Sequence, residues 1–147
     1  MLYSDLNTIL QIENELFSHP WSKQMYIQEI ENHHAYLIED NGVILGFICG
    51  WDIYDESHIT NLGIRKNYQR RGLASKLLHF FINKKEKEGW ETFFLEVRES
   101  NTSAVSFYKN HGFLVVGKRK KYYKNPTEDA FIMMKLSDKK NEKSKKN

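Results

Sequence analysis

The sequence predicts a mixed α/β (α+β) fold: a single domain on a central, largely antiparallel mixed sheet with helices on both faces. Three observations carry this. Apolar residues recur at helical spacing near the N-terminus and again from Leu73 onward. Asp40-Asn41-Gly42 separates two apolar runs, which is a hairpin signal. After Arg71 the pattern changes to helix, strand, helix, and closes on two further strands.

The elements follow in order. Leu6, Ile9, Leu10, Leu16 and Phe17 mark one face of a helix over about residues 5–17. Ser18-His19-Pro20-Trp21 breaks it, and Ser22 can cap a second short helix carrying Met25, Tyr26 and Ile30. Strands are predicted over residues 35–39, 43–51 and about 57–64, a meander. Leu73, Ala74, Leu77, Leu78, Phe81 and Ile82 form a broad apolar stripe on a helix that ends near Gly89. Residues 92–97 read as a strand between two helices. Asn101 can cap the next helix and Gly112 can stop it. Residues 113–116 and 130–136 read as closing strands.

The chain has 147 residues, enough for one domain with a real core. The domain is expected over residues 1–137, followed by a Lys-rich, disordered tail over 138–147. That tail carries the entire net charge of +3, with five Lys against Asp138 and Glu142. The remainder is neutral, so no specific nucleic-acid partner is expected. Cys49 is the only cysteine, which excludes an internal disulfide and suits a reducing compartment. No apolar run reaches transmembrane length and no signal peptide opens the chain, so a cytoplasmic protein with no membrane partner is expected. The six histidines, including the adjacent His33 and His34, show no ligand spacing, and no metal is expected. Nothing demands an oligomer, and a monomer is the expectation.

Gln69-Arg70-Arg71-Gly72-Leu73-Ala74 lies between a strand and a long helix. A phosphate-binding turn needs free backbone N–H groups, a glycine where the chain passes the phosphate, and a helix N-terminus behind it. This segment supplies all three, and Arg70 and Arg71 add charge. A basic loop before an ordinary helix is the alternative. It is neither a Walker loop nor the Gly-x-Gly-x-x-Gly dinucleotide turn.

Gln-x-x-Gly-x-Ala after a strand resembles the acetyl-CoA signature of the GNAT superfamily of N-acetyltransferases. The runs Leu95-Glu96-Val97-Arg98-Glu99-Ser100-Asn101 and Phe107-Tyr108-Lys109-Asn110-His111-Gly112-Phe113 resemble that family's second block. The order of elements matches over about residues 1–136. His19-Pro20-Trp21-Ser22, the Leu95–Asn101 run and Tyr122-Tyr123 before Glu128-Asp129-Ala130 resemble more narrowly the enzymes that acetylate the N-terminal alanine of a small-subunit ribosomal protein. His19 replaces their usual Phe, and the stretch from Tyr123 to Glu128 departs from their pattern; both lie where an acceptor would bind.

The resemblance implies acetyl-CoA as cosubstrate and a protein N-terminus, of a ribosomal protein, as acceptor. It places acetyl-CoA against Leu62, Gly63, Ile64, Gln69, Arg70, Arg71, Gly72, Leu73, Ala74, Ser75 and Asn101. In it the backbone of residues 62–64 runs beside the pantetheine arm, and one N–H there polarises the thioester carbonyl. Asn101 is equally a plain helix cap.

Amide formation requires a deprotonated amine, a polarised carbonyl, a stabilised leaving thiolate and aligned substrates. An N-terminal amine has a pKa of about 8, so a base has a modest task. Glu96 is the candidate base, directly or through water. It shares a strand face with Phe94 and Arg98, and an exposed Glu paired with Arg98 is the competing interpretation. Tyr108 is the candidate acid by the resemblance; on the helix pattern alone it reads as core beside Phe107. Trp21, Tyr26, Tyr122 and Tyr123 are candidates to line the acceptor groove, with plain packing as open for each. A protein lysine, a polyamine or another small amine remains possible as acceptor, and a non-catalytic acyl-CoA-binding module is the rival of another class.

Overall fold

The structure, a computed structural model, describes residues 1–32 and 34–147. His33, named above in the search for metal spacing, lies outside the described residues. The strands form a six-stranded mixed sheet in the order β1-β2-β3-β4-β6-β5. The elements are α1 (Leu6–Leu16), α2 (Lys23–Glu31), β1 (Ala35–Asp40), β2 (Val43–Ile53), β3 (Glu56–Ile64), α3 (Leu73–Lys87), β4 (Thr92–Arg98), α4 (Thr102–Asn110), β5 (Leu114–Tyr123), β6 (Glu128–Leu136) and α5 (Asp138–Lys145). β1–β2, β4–β6 and β5–β6 are antiparallel, and β3–β4 is parallel. This is the mixed, largely antiparallel sheet that the sequence predicts.

The chain divides into two compact units, Met1–Trp51 with Thr60–Lys84, and Asp52–Ile59 with Lys85–Asn147. In the first, the inward stripe of α1 buries Leu6, Ile9 and Ile12 with Tyr26 and Ile30 of α2 and Ile44, Phe47 and Cys49 of β2. Burying a side chain of this size contributes about 1.5–3 kcal/mol. Ser22 caps α2 as predicted, its hydroxyl accepting the Met25 N–H at 3.3 Å. The β1–β2 hairpin turns on Asn41 and Gly42 alone, and both have positive φ, 49° and 79°. Two left-handed central residues define the hairpin turn whose twist matches the strands, which is why Asn-Gly occupies it.

In the second unit, Ser57, His58 and Ile59 of β3 pair with Phe93, Phe94 and Leu95 of β4. Phe93, Leu95 and Val97 are buried, as are Val105, Phe113 and Met133. Thr92, Phe94, Glu96 and Arg98 take the other face, as strand periodicity requires. Lys85 is buried against Asp52 at 2.6 Å, which offsets the desolvation of its ammonium.

Two expectations change. β5 continues to Tyr123, well past the four residues predicted. Its second half is a basic edge strand with few apolar side chains, so it carries no alternating pattern. The segment read as a disordered tail holds α5, capped by the Ser137 hydroxyl, which accepts the Lys140 N–H at 3.2 Å. Ser137 itself is buried, and its N–H donates to Glu91 O at 2.8 Å. Among the described residues no helix is long and apolar enough to cross a membrane.

Candidate active site

The candidate phosphate turn lies in the first unit. Arg70 and Gly72 both have positive φ, 64° and 78°, and flank Arg71. Left-handed residues turn successive N–H groups toward one side, and the chain runs straight into the N-terminus of a fifteen-residue helix, α3. The Gln69 side chain pins the turn from below, donating from Nε2 to Ile64 O at 2.9 Å. The Arg71 guanidinium rests over the Tyr68 ring at 5.3 Å. Gln69, Arg70, Arg71 and Gly72 are exposed, while Leu73, Ala74 and Ser75 are half-buried. A Cβ at Gly72 would touch nothing, so the glycine is there for its backbone angle. These residues fit an anionic pyrophosphate.

Gly63 has a different reason. A Cβ there would lie 2.9 Å from Leu16 Cδ1 and from Phe47 Cζ, so its bareness serves packing within the unit. Leu62 is half-buried, and Gly63 and Ile64 are buried.

Trp21 and Tyr26 also meet in this unit, with ring centroids 5.3 Å apart. Tyr26 is 0 % exposed. Its hydroxyl donates to Glu13 Oε2 at 2.5 Å and accepts from Asn61 Nδ2 at 2.9 Å. Glu13 Oε2 also accepts from Asn61, and Oε1 accepts the Trp21 backbone N–H, both at 2.9 Å. Burial, and then the bond to Glu13, holds the Tyr26 phenol far above its ordinary range. Tyr26 is therefore core rather than groove lining, and with Glu13 it ties the loop at Trp21 to α1. The signal for Glu13 was available: an acid beside Ile9 and Ile12 on the buried stripe. Glu29, also buried, accepts the Trp51 Nε1 proton, and burial pushes its carboxyl up to about 7.

The second unit holds the candidate acid and base. Glu96 projects from β4 with its side chain 23 % exposed, and its Oε1 is ion-paired with Arg119 Nε at 2.9 Å. The Tyr122 hydroxyl also bonds to Glu96, which raises the Tyr122 pKa above the usual phenol value. The alternative partner considered for Glu96 is engaged elsewhere. Arg98 donates to Glu128 Oε2, Pro126 O and Lys124 O, each at 3.2 Å, and lies 4.4 Å from the Tyr123 ring centroid. Burial first, then Tyr122, pushes the Tyr123 phenol up to about 12. Thus Glu96, Tyr122 and Tyr123 come together.

Tyr108 is half-buried on α4, edge-on to Phe107 and Phe113 at 5.2 and 5.6 Å between centroids. Burial, then Tyr123, raises its pKa. A phenol so held keeps its proton at neutral pH, the state a proton donor needs. Asn101 caps α4, its Oδ1 accepting the Ala104 N–H at 3.2 Å, so the capping role is present. Among the described residues no His, Cys, Asp and Glu cluster is placed to hold a metal. Nothing in the sequence marks Arg119, which sits in a run of lysines, and the position of Glu128 just after the β5–β6 turn names no partner.

The model of the Acetyltransferase (GNAT) family matches residues 6–113. The [ribosomal protein bS18]-alanine N-acetyltransferase of Escherichia coli (strain K12) is 34% identical over 135 residues, 88% of this chain and 90% of that protein. The protein of the same description from Haemophilus ducreyi is 35% identical over 135 residues, 88% and 92% of the two chains. The crystal structure of the ribosomal-protein-S18-alanine N-acetyltransferase from Escherichia coli superposes with a TM-score of 0.84 at 31% identity, covering 92% of this chain and 90% of that one.

Proposed function

We propose, for a chain that belongs to the acetyltransferase (GNAT) family, that it transfers the acetyl group of acetyl-CoA to the N-terminal amine of a protein, the N-terminal alanine of a small-subunit ribosomal protein. The observation that carries the donor half is the pair of left-handed residues, Arg70 and Gly72, opening into α3. The acceptor half rests on relatives about one-third identical along almost the whole chain, whose descriptions name bS18 alanine. The setting is the cytoplasm, and the domain covers residues 1–137.

In this reading the turn from Gln69 to Ser75 holds the pyrophosphate, and Leu62–Ile64 and Asn101 hold the pantetheine arm. Glu96 takes a proton from the acceptor ammonium. Glu96 passes that proton to solvent; the freed amine forms an N–C bond to the thioester carbonyl carbon, and as the C–S bond breaks the nitrogen gives up its second proton to Glu96, leaving a neutral amide. The Tyr108 hydroxyl donates its proton to the departing sulfur and regains one from solvent. Trp21, Tyr122 and Tyr123 bound the acceptor. Tyr26 serves it from inside the core, through Glu13 and the Trp21 backbone.

A peptide panel tests the acceptor: an N-terminal alanine, an N-terminal methionine, and an internal lysine behind a blocked terminus. Acetylation of the first alone is expected. Acetylation of the lysine alone would remove the N-terminal reading and leave the donor reading standing. Glu96→Gln and Tyr108→Phe should each lower kcat by about 100-fold or more. Wild-type kcat in both would remove those roles.

A further inference from the structure

We propose that Arg119 is the positioning residue that holds the Glu96 carboxylate in its working orientation. The proposal rests on the reading of Glu96 as the base. Strand register supplies the geometry. Glu96 lies opposite Ile132 on β6, and Ile132 lies opposite Gly117 on β5. Arg98 lies opposite Ala130, and Ala130 lies opposite Arg119. Directly opposed residues share a sheet face, so these are two adjacent rungs on the face that carries Glu96.

Glu96 and Arg119 are therefore diagonal across β6, two strands apart. Neighbouring strands are about 4.8 Å apart, so a contact must span nearly 10 Å. Only a long side chain can do this. Gly117 leaves the Glu96 rung bare on β5, Ala130 presents only a methyl group beneath the Arg119 rung, and Ile132 stands beside Glu96 on β6. The result is the 2.9 Å ion pair of Nε with Oε1. Tyr122 completes the arrangement, since its hydroxyl bonds to Glu96 and its ring lies 5.7 Å beneath the Arg119 guanidinium.

Glutamate on a strand has several accessible rotamers, and a base must stand within hydrogen-bond reach of its proton. Two partners on β5 select one rotamer. The Arg119 side chain is 55 % exposed, and an exposed ion pair adds little to folding stability. Conformational stability thus gives little reason for a pair that spans two strands, and the Arg119→Ala protein should fold. Lysine is a poor replacement, because it offers a point charge on a flexible stem rather than a planar side-on donor.

The test is steady-state kinetics with acetyl-CoA and a peptide beginning with alanine. Arg119→Ala should lower kcat about 10-fold or more, since a misplaced catalytic group costs heavily, with the KM for acetyl-CoA within about 2-fold of wild type. Millimolar methylguanidinium should restore part of the lost kcat, and Arg119→Lys should retain only part of it. In a Glu96→Gln background Arg119→Ala should have little further effect. Wild-type kcat in Arg119→Ala overturns the proposal. So does a loss that is as large in the Glu96→Gln background, or one that appears mainly in the KM for acetyl-CoA. Wild-type kcat in Glu96→Gln removes the base and this proposal together; an impaired Glu96→Gln beside an unimpaired Arg119→Ala removes this proposal alone.

Discussion

Arg98 and Glu128 meet at 3.2 Å, and the second oxygen of Glu128 accepts the Ser100 N–H at 2.5 Å. One carboxylate thus joins the end of β4, the start of β6 and the residue just before the Asn101 cap of α4. The Arg98 guanidinium adds bonds to the carbonyls of Lys124 and Pro126. The β5–β6 turn and the N-terminus of α4 are therefore fastened by a single ion pair, beside Tyr123.

The pH dependence of that fastening follows from Glu128. The Ser100 contacts first, and then Arg98, hold its carboxyl below the ordinary 4.5. The unfolded chain accepts a proton more readily, so the stabilisation is complete above pH 4.5 and fades as pH falls through the lower folded value. Glu128→Gln should lower Tm at pH 7, and the gap to wild type should close under acid. A gap independent of pH would show that the carboxylate charge is not involved.

Tyr26→Phe removes one hydroxyl from a buried network and leaves Glu13 and Asn61 short of a partner. A cost of about 1–3 kcal/mol is expected for such a group. Urea unfolding should show a lower midpoint with an unchanged slope, and calorimetric affinity for acetyl-CoA should stay at the wild-type value. An unchanged midpoint would contradict the network.

Glu29 works in the opposite direction to Glu128. Desolvation pushes its folded pKa up to about 7, against an ordinary 4.5. Between those values the unfolded carboxyl ionises while the folded one keeps its proton, so stability declines as pH rises and levels off above about 7. Glu29→Gln should flatten that decline, and thermal scans from pH 4 to 8 measure it. An equal decline in both proteins would assign it to other groups.

Gly72 has a φ of 78° and open space where a Cβ would stand. A substitution there meets no clash, and only the left-handed backbone resists. That costs about 1–2 kcal/mol for a non-glycine residue, and a β-branched one is among the least suited. Gly72→Val should weaken acetyl-CoA binding about 5- to 30-fold by calorimetry. Unchanged affinity would refute the phosphate-turn reading.

The local features were legible because their causes are local. Ser22 and Asn101 cap helices because a short oxygen-bearing side chain reaches an N–H three residues on. Asn41-Gly42 turns because both positions tolerate positive φ. The turn from Gln69 to Ala74 could be read because a glycine, free N–H groups and a helix start lie within six consecutive residues. The alternation along β4 put Glu96 on a face with Arg98, and the burial pattern agrees.

Partners needed the tertiary structure. Glu96 has its neighbour in sequence, Arg98, on the same face, yet pairs with Arg119, while Arg98 turns to Glu128. The choice depends on how β5 and β6 are registered, and on which rung holds Gly117 and which holds Ala130, none of which strand periodicity encodes. Tyr26 could be read as groove or core from its helix position; only the arrival of Glu13 from α1 and Asn61 from β3 makes it core. The sequence alone located most helices, strands and turns, though not α5 or the second half of β5, and marked a candidate phosphate turn. The tertiary structure decided which charged groups meet, because ion pairs form between residues that register brings together across strands.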